Sequence, residues 1–234
     1  MRAADLEVLF ESKSLLILNK PAGVSMFADR VGAETLWPQL AARFGRLLPV
    51  HRLDKGTSGV LVFARDAVMQ AHLNRAFNSD VPGNKLRKYY VARVTGTLRL
   101  HGTGMIDLPL MPGRKSRYRV GGPRDAIERQ GARWLLRVQA DAKSVSAVTR
   151  LRVLQQSAST LLLLRPHTGR THQLRVHLAL MGAPILGDRL YGELATADRL
   201  LLHAYQITVP AATAASRTFV APLPPEFVFP GVVL

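Results

Sequence analysis

Short apolar runs, separated by polar residues, mark the first part of the chain. Residues 8–10 and 15–18 are two such runs, and residues 60–64 form a third with the sequence Val-Leu-Val-Phe-Ala. β-Branched and aromatic runs of this length, bounded by Gly, Pro or polar residues, are typical of strands. The pattern therefore predicts three strands, the third of them buried.

Further strand patterns follow one another in the second part of the chain. Residues 88–98 alternate between apolar and polar side chains, and residues 134–138, 145–154 and 160–164 follow without a helical pattern between them. Strands in direct succession favour antiparallel pairing. The sequence thus predicts an α+β fold with a mixed, largely antiparallel sheet and flanking helices. Residues 109–130, which are basic and contain Gly and Pro, are expected to be an irregular loop region.

Two helices are predicted in the first half. Residues 34–44 are expected to form a short helix, in which Pro38 is tolerated only near the first turn. Asp66 is expected to cap a second helix that ends at about Asn78. The predicted apolar face of this helix comprises Val68, Met69, Leu73, Ala76 and Phe77.

A third helix is predicted from Thr171, its N-cap, through Leu180. Gly182 follows at the position that most often takes a left-handed conformation after a helix. Leu174 lies four residues after Arg170, so both are expected on the same face of this helix.

Length and composition limit the class of protein. The chain has 234 residues, of which 47% are hydrophobic and 21% charged, values of a globular protein that can bury one substantial core. No apolar run approaches the length of a membrane-spanning helix, and the first residues lack the pattern of a secretory signal. A cytoplasmic location is therefore expected. The chain has no Cys, which excludes a disulfide framework and a thiolate metal site.

The charge adds information about partners. The formal net charge is +16, and 25 of the 32 basic residues are Arg. Such an excess indicates a polyanionic partner, with nucleic acid as the first candidate. Arginine binds phosphate through two parallel hydrogen bonds and stacks on bases. An Arg-rich surface also follows from a GC-rich genome, so the charge supports nucleic acid without proving it.

Asp54 lies in a predicted turn directly before the strand at 60–64. Pro49 precedes this turn, and Gly56 and Gly59 follow Asp54. Loops held by a rigid element often carry catalytic residues. An Asp followed by Gly, Thr and Ser is also ordinary turn chemistry. Its position alone is compatible with both interpretations.

Three strings of residues, in this order, resemble the RluA family of RNA pseudouridine synthases. They are HRLDKGTSG from His51, KYYVARVTG from Lys88 and RPHTGRTHQLRVHL from Arg165. The resemblance extends from about Val8 to the C-terminus and includes NKPAG from Asn19 and GAPILGDRLYG from Gly182. It implies the pseudouridine synthase fold in a single catalytic domain over residues 1–234, without an N-terminal S4-type module.

The resemblance implies isomerisation of uridine to pseudouridine in structured rRNA or tRNA, with the target base flipped out of its stack. Asp54 occupies the position of the family's essential aspartate. Its carboxylate could serve as nucleophile, base or electrostatic stabiliser. Arg170 matches the arginine that pairs with this aspartate, and a bidentate pair would orient it. The alternative for Arg170 is a contact with solvent or phosphate.

The resemblance also implies roles for residues around Asp54. Tyr90 matches a tyrosine that can stack on the uracil, whereas Tyr89 lies on the opposite face of the strand, where core packing is an open alternative. Leu174 could form an apolar wall for the base. Arg52 matches an arginine that contacts the RNA where the base flips, and His51 is expected to hold the loop. A possible RNA-backbone site, or a solvated basic loop, is formed by Arg114, Lys115, Arg117 and Arg119, interleaved with Tyr118.

A metal site is the main alternative chemistry. His167, His172 and His177 are five residues apart, a spacing that does not place them on one face of a helix with Asp188. No P-loop or dinucleotide-binding glycine pattern occurs. We therefore expect no metal and no organic cofactor, with RNA as partner and no membrane or obligatory protein partner.

A non-catalytic RNA-binding protein with the synthase fold is the alternative function. Its mark in the sequence would be the loss of Asp54, Tyr90 or Arg170, and all three are present.

Overall fold

A computed structural model describes residues 6–27, 35–79, 81, 83–192, 197–210 and 216–228. The chain forms two compact units. The first comprises the residues up to Lys88 and those from His203 to Leu223, and the second comprises Tyr89–Leu202 and the residues from Pro224 onward.

The first unit is built from six strands and two helices of the described chain. They are β1 (Glu7–Glu11), β2 (Leu15–Lys20), α1 (Leu36–Phe44), β3 (Leu48–Pro49), β4 (Ser58–Ala64), α2 (Ala67–Asn78), β13 (Leu202–Val209) and β14 (Arg217–Val220). β1 pairs with β2, β2 with β4 and β13 with β14, all antiparallel, whereas β13 runs parallel to β4. Every residue of β4 is buried, as its continuous apolar run predicts.

The helices of the first unit confirm most of the predicted boundaries. The carboxylate of Asp66 accepts a hydrogen bond from the backbone N–H of Met69 at 2.7 Å and caps α2. Leu73 is buried in the core of this unit, but Val68 is 81% exposed, so its assignment to the apolar face is wrong. α1 begins at Leu36 with Pro38 in its first turn, and residue 34 lies outside the described residues.

The described residues of the second unit form a six-stranded sheet, a separate hairpin and one α-helix. Its elements are β5 (Arg87–Thr95), β6 (Thr103–Asp107), β7 (Leu110–Pro112), β8 (Tyr118–Val120), β9 (Ile127–Gln130), β10 (Arg133–Leu136), β11 (Val148–Gln156), β12 (Ser159–Pro166) and α3 (Gln173–Leu180). The sheet order is β5-β12-β11-β6-β10-β9, and every pair is antiparallel except β6 and β10. The predicted α+β class, with a mixed and largely antiparallel sheet, is confirmed.

The region 109–130 is more regular than predicted. β7 and β8 form an antiparallel hairpin, and β9 adds an edge strand to the main sheet. These strands have three or four residues each, which is too short for a clear alternating pattern.

α3 begins at Gln173, one residue later than an N-cap at Thr171 predicts. His172, not Thr171, precedes the helix and has a left-handed conformation with φ 56°. The predicted end is confirmed, because Gly182 has φ 78° and donates to the carbonyl of Ala179, while Ala183 donates to the carbonyl of Leu178. This is the two-bond Schellman pattern.

Candidate active site

Asp54 lies in a tight turn that leads into β4. The backbone carbonyl of Asp54 accepts a hydrogen bond from the N–H of Thr57 at 3.0 Å, and Leu53 and Thr57 are buried on either side. Asp54 itself is partly exposed, and Arg52 is exposed. The turn thus presents an acidic side chain at the end of a fully buried strand, as the sequence predicts.

Buried Lys20 stabilises this turn through hydrogen bonds to backbone carbonyls. It is 1% exposed, and its Nζ atom donates to the carbonyls of Pro21 at 2.8 Å, Val24 at 3.0 Å and Lys55 at 3.4 Å. Burial lowers the pKa of Lys20 to about 7, and the negative charge of Asp54 opposes this shift. The charged form of Lys20 therefore interacts favourably with Asp54 within the first unit. The sequence reasoning noted the NKPAG string but missed the role of its lysine.

His51, the first residue of the HRLDKGTSG string, holds the turn against the core. The Nε2 atom of His51 accepts the N–H of Val62 at 2.9 Å, and its ring stacks on Phe77. Burial lowers the pKa of His51 to about 3, helped by the charge of Lys88, so the ring is neutral. This agrees with the predicted structural role of His51.

Gly59 and Ser58 fix the junction with β13. A Cβ atom on Gly59 would lie 2.2 Å from the carbonyl oxygen of Ala204, and its φ of 110° also favours glycine. Ser58 forms a buried hydrogen bond of 2.9 Å with Nδ1 of His203. The Ser-Gly pair is therefore explained by close strand packing.

Tyr89 and Tyr90 point to opposite faces of β5. Tyr90 pairs in register with Leu164 of β12. The guanidinium of Arg165, the next residue of β12, lies 5.8 Å from the centre of the Tyr89 ring. Tyr89 therefore contacts an arginine on the face away from Tyr90, rather than being fully enclosed in a core.

Arg170 lies in the loop before α3, not in the helix. The prediction that Arg170 and Leu174 share a helical face is therefore wrong, because the helix begins at Gln173. Leu174 is 7% exposed in the first turn. The Nε atom of Arg170 donates to the carbonyl of Ser146 at 3.1 Å. The ion pair of Arg170 with Asp54 stays a prediction.

A buried hydrogen-bond network shapes the loop that carries Arg170. The side-chain oxygen of Gln173 accepts from the backbone N–H of Arg170 at 3.0 Å and from the hydroxyl of Thr168 at 2.7 Å. Its amide nitrogen donates to Thr149 Oγ1, which contacts Nδ1 of His177 at 3.0 Å. The side chain of Gln173 thus ties the loop to the sheet, a role that the sequence reasoning missed.

His177 ends this network and is neutral. Its Nε2 atom donates to the carbonyl of Leu108 at 3.0 Å, so Nδ1 accepts from the hydroxyl of Thr149. Burial lowers the pKa of His177 to about 4, although the Leu108 carbonyl and the charge of Asp107 oppose the shift. His177 is therefore a structural residue rather than a metal ligand.

The basic hairpin is connected to the same loop. Arg114, Lys115, Arg117 and Arg119 are all exposed around the turn between β7 and β8. The hydroxyl of Tyr191 accepts from the N–H of Tyr118 at 2.7 Å and contacts Nδ1 of His172 at 2.8 Å. The structure thus brings the turn end of the hairpin next to the residues between Arg170 and α3.

An ion pair buried beneath Tyr191 supports this arrangement. Arg175 donates two hydrogen bonds to the carboxylate of Asp188, at 2.8 Å and 2.6 Å. Burial raises the pKa of Asp188, but Arg175 and the backbone N–H groups of Leu190 and Tyr191 outweigh it, so the pKa lies below its usual range. The strings TGRTHQLRVHL and GDRLYG therefore belong to one packed assembly.

The described residues offer neither a metal site nor a membrane-spanning helix. Within the described ranges, no group of three His, Asp or Glu side chains is placed to hold a metal ion. Among the same residues, no helix is both long and apolar enough to cross a membrane.

The chain is similar to known RNA pseudouridine synthases. A family model described as RNA pseudouridylate synthase matches residues 14–180. The dual-specificity RNA pseudouridine synthase RluA of Shigella flexneri is 33% identical over 231 residues, which cover 93% of each chain. A Zymomonas mobilis protein, described as an uncharacterized RNA pseudouridine synthase, is 36% identical over 228 residues and 94% of each chain.

Solved structures of RNA pseudouridylate synthase domains share the fold of this chain. Human RNA pseudouridylate synthase domain containing 4 superposes with a TM-score of 0.72 at 26% identity, covering 94% of this chain and 89% of that one. Its human relative, domain containing 1, has a TM-score of 0.72 at 27% identity, covering 96% and 86%. With these matches over nearly the whole chain, the protein belongs to the RluA family of RNA pseudouridine synthases, isomerases that act on RNA.

Proposed function

We propose that this protein converts specific uridines to pseudouridine in structured rRNA or tRNA, with Asp54 as the catalytic group. The N1–C1′ bond of the target uridine breaks, the base turns, and a C5–C1′ bond forms. The proton on C5 is lost and N1 gains one, so the product is an isomer of the substrate. The dual-specificity description of the Shigella relative supports a range of RNA substrates wider than one.

The observation that carries this proposal is the placement of Asp54. A carboxylate at the end of a fully buried strand, close to the buried ammonium of Lys20, is held in position and compensated electrostatically. A carboxylate fixed in this way suits attack on C1′, proton removal or stabilisation of positive charge there.

The surrounding residues have distinct proposed roles. Tyr90 stacks on the flipped uracil, and Leu174 contributes an apolar wall. Arg170 pairs with Asp54 through its guanidinium. Arg52 is exposed two residues before Asp54, and its side chain fills the gap that the flipped base leaves in the RNA stack. The phosphate backbone is bound by Arg114, Lys115, Arg117 and Arg119. The proposal includes no cofactor, no obligatory protein partner and a cytoplasmic location.

Pseudouridine mapping of total RNA from cells with and without the gene tests the reaction and identifies the target. We expect one or a few positions to lose pseudouridine, and the purified protein to restore them in vitro. The matched control is Asp54→Asn, which keeps the shape of the side chain and should bind the RNA with unchanged affinity but form no product. Unchanged maps, together with RNA binding by both proteins, would favour the non-catalytic RNA-binding alternative.

A further inference from the structure

A row of basic and aromatic side chains crosses the sheet of the second unit on the face that carries Tyr89. Arg165 lies over Tyr89, Arg150 is directly opposite Arg165, and Met105 is opposite Arg150. Arg133 is opposite Met105 on the next strand. Arg152 lies on the same face of β11, two residues after Arg150. We call Tyr89, Arg133, Arg150, Arg152 and Arg165 the arginine face.

The arginine face lines an open groove with an excess of positive charge. The groove has a volume of about 540 Å³. Arg133, Arg150 and Arg152 are exposed, and Arg165 is half-buried. Arg133 forms an ion pair with Asp107 at 2.5 Å. Within the described part of the chain, Arg150, Arg152 and Arg165 have no such carboxylate partner.

The placement of Arg150 opposite Arg165 costs stability. Like charges directly across two strands repel each other. Protection of a sheet edge from aggregation would explain arginines on an outer strand. However, β11 and β12 are interior strands of this sheet, so edge protection does not account for the pair. An anion bound between the two guanidinium groups would remove the repulsion.

The arginine face lies on the side of β5 opposite to Tyr90, which is proposed to stack on the target uracil. Tyr90 points to the other side of β5, since consecutive residues of a strand alternate between faces. Adjacent strands are about 4.8 Å apart, so the row from Arg165 to Arg133 spans roughly 14 Å. A surface of this width matches a stretch of nucleic-acid backbone better than one small anion.

We propose that the arginine face is a second RNA-binding surface, which holds phosphates of the substrate RNA away from the flipped uridine. Guanidinium groups bind phosphate through paired hydrogen bonds, and the tyrosine-arginine stack provides a flat surface for a base. The inference rests on the proposed function for the identity of the ligand as RNA. It adds a contact that positions the RNA without taking part in the reaction.

The double variant Arg150→Gln/Arg152→Gln tests this surface, with total tRNA from cells lacking the gene as the probe. Loss of two phosphate contacts should weaken binding roughly 10- to 30-fold at 0.15 M salt and make the slope of log affinity against log salt shallower by about 1.4 to 1.8. The rate of the first turnover at saturating RNA should not change. Arg150→Lys/Arg152→Lys, which keeps the charge, should retain most of the slope.

The matched control is Arg46→Gln/Arg75→Gln, which removes the same charge from exposed positions of the first unit. An equal loss of affinity in both double variants would attribute the effect to net charge and overturn the proposal. Unchanged tRNA binding in Arg150→Gln/Arg152→Gln, with the same melting temperature as wild type, would also overturn it. A third outcome would also overturn it. If wild type binds poly-glutamate as tightly as poly(U), and the variant loses affinity for both equally, the face binds acidic polymers in general rather than RNA.

Failure of the proposed reaction is distinguishable from failure of this surface. If wild-type protein forms no pseudouridine in any RNA but loses tRNA affinity through Arg150 and Arg152 as described, the RNA-binding surface stands and the catalytic proposal falls. If pseudouridine forms normally while the salt slope is unaffected by both substitutions, the catalytic proposal stands and the surface falls.

Discussion

The Nζ atom of Lys20 lies 3.4 Å from the carbonyl oxygen of Lys55, the residue that follows Asp54. Lys20 also donates to two carbonyls of its own turn. One buried ammonium group therefore joins the end of β2 to the turn that presents Asp54. The position of Asp54 depends on this contact as well as on its own short turn.

Lys20→Met should reduce catalysis more than RNA binding. Methionine fills a similar volume but leaves three carbonyls without this donor and removes the positive charge near Asp54. A displacement of about 1 Å in a reacting group can cost roughly 100-fold in rate. We expect a first-turnover rate lower by about that factor, with RNA affinity within about twofold of wild type. Lys55→Met, on the exposed side of the same turn, is the control. A normal rate in Lys20→Met would contradict the positioning role.

Arg170→Lys tests the proposed pair with Asp54. The Nε atom of Arg170 already donates to Ser146, which leaves the two terminal nitrogens for a carboxylate. Lysine keeps the charge but cannot make both sets of contacts. We expect a first-turnover rate roughly 100- to 1,000-fold lower, with RNA affinity preserved. Arg119→Lys on the hairpin is the control, and equal rates for both variants would reject the pair.

The sequence marks the candidate site residues through local strings, but it does not encode the contacts around them. Asp54, Tyr90 and Arg170 belong to contiguous strings whose strands and turns are local. The pairing of β13 with β4 joins segments about 145 residues apart in the chain, and no local pattern encodes it. This pairing requires Gly59, because its missing Cβ allows the approach of Ala204.

The start of α3 has a different physical explanation. Thr171 has the side chain of a good N-cap, but Gln173 accepts the N–H of Arg170 from inside the helix. The amide of Gln173 is fixed by Val148 and Thr149 of β11, which are distant in sequence. Tertiary contacts therefore override the local preference and leave Arg170 in a loop.

The stability of the protein should fall as the pH decreases from about 6.5 to about 4, partly because of His177. The folded protein holds His177 neutral with a pKa of about 4, whereas the unfolded chain has the ordinary value of about 6.5. The unfolded state binds more protons in this range, so its free energy falls relative to the folded state. His177 should contribute a loss of about 2 kcal/mol at pH 5.

Urea denaturation of wild type and His177→Gln at several pH values measures this contribution. The difference in free energy of unfolding between the two proteins should decrease as the pH falls from 7 to 5, because only the wild type carries the titrating ring. A difference that stays constant over this range would show that His177 titrates normally in the folded protein.

Asp188→Asn should destabilise the protein strongly. The Asp188 side chain is fully buried and that of Arg175 is 10% exposed, so the variant leaves a buried charge without its partner. Such losses cost about 3–5 kcal/mol. The control is Glu11→Gln, which removes the acid of the more exposed pair with Arg65 and should cost less than about 1 kcal/mol. Equal effects in urea denaturation would contradict this account.

Arg117→Ala/Arg119→Ala should weaken the binding of cognate and unrelated RNAs alike. Both arginines are exposed on a hairpin that contacts His172 through Tyr118 and Tyr191. Contacts with phosphates carry little sequence information, so the salt slope should become shallower by up to about two for every RNA. Filter binding over a salt series measures this change. Salt-independent binding would reject the electrostatic account.

Arg52→Ala should have the opposite balance of effects. Arg52 is exposed two residues before Asp54, and we expect it to contact the RNA where the uridine leaves its stack. Flipping a base costs a few kcal/mol, and a side chain that stabilises the flipped state acts after the first encounter. The first-turnover rate on a structured RNA should therefore fall more than the affinity, and an RNA with an unpaired target uridine should be affected less. Equal turnover by Arg52→Ala and wild type on the structured RNA would remove the flipping role while leaving the hairpin contacts intact.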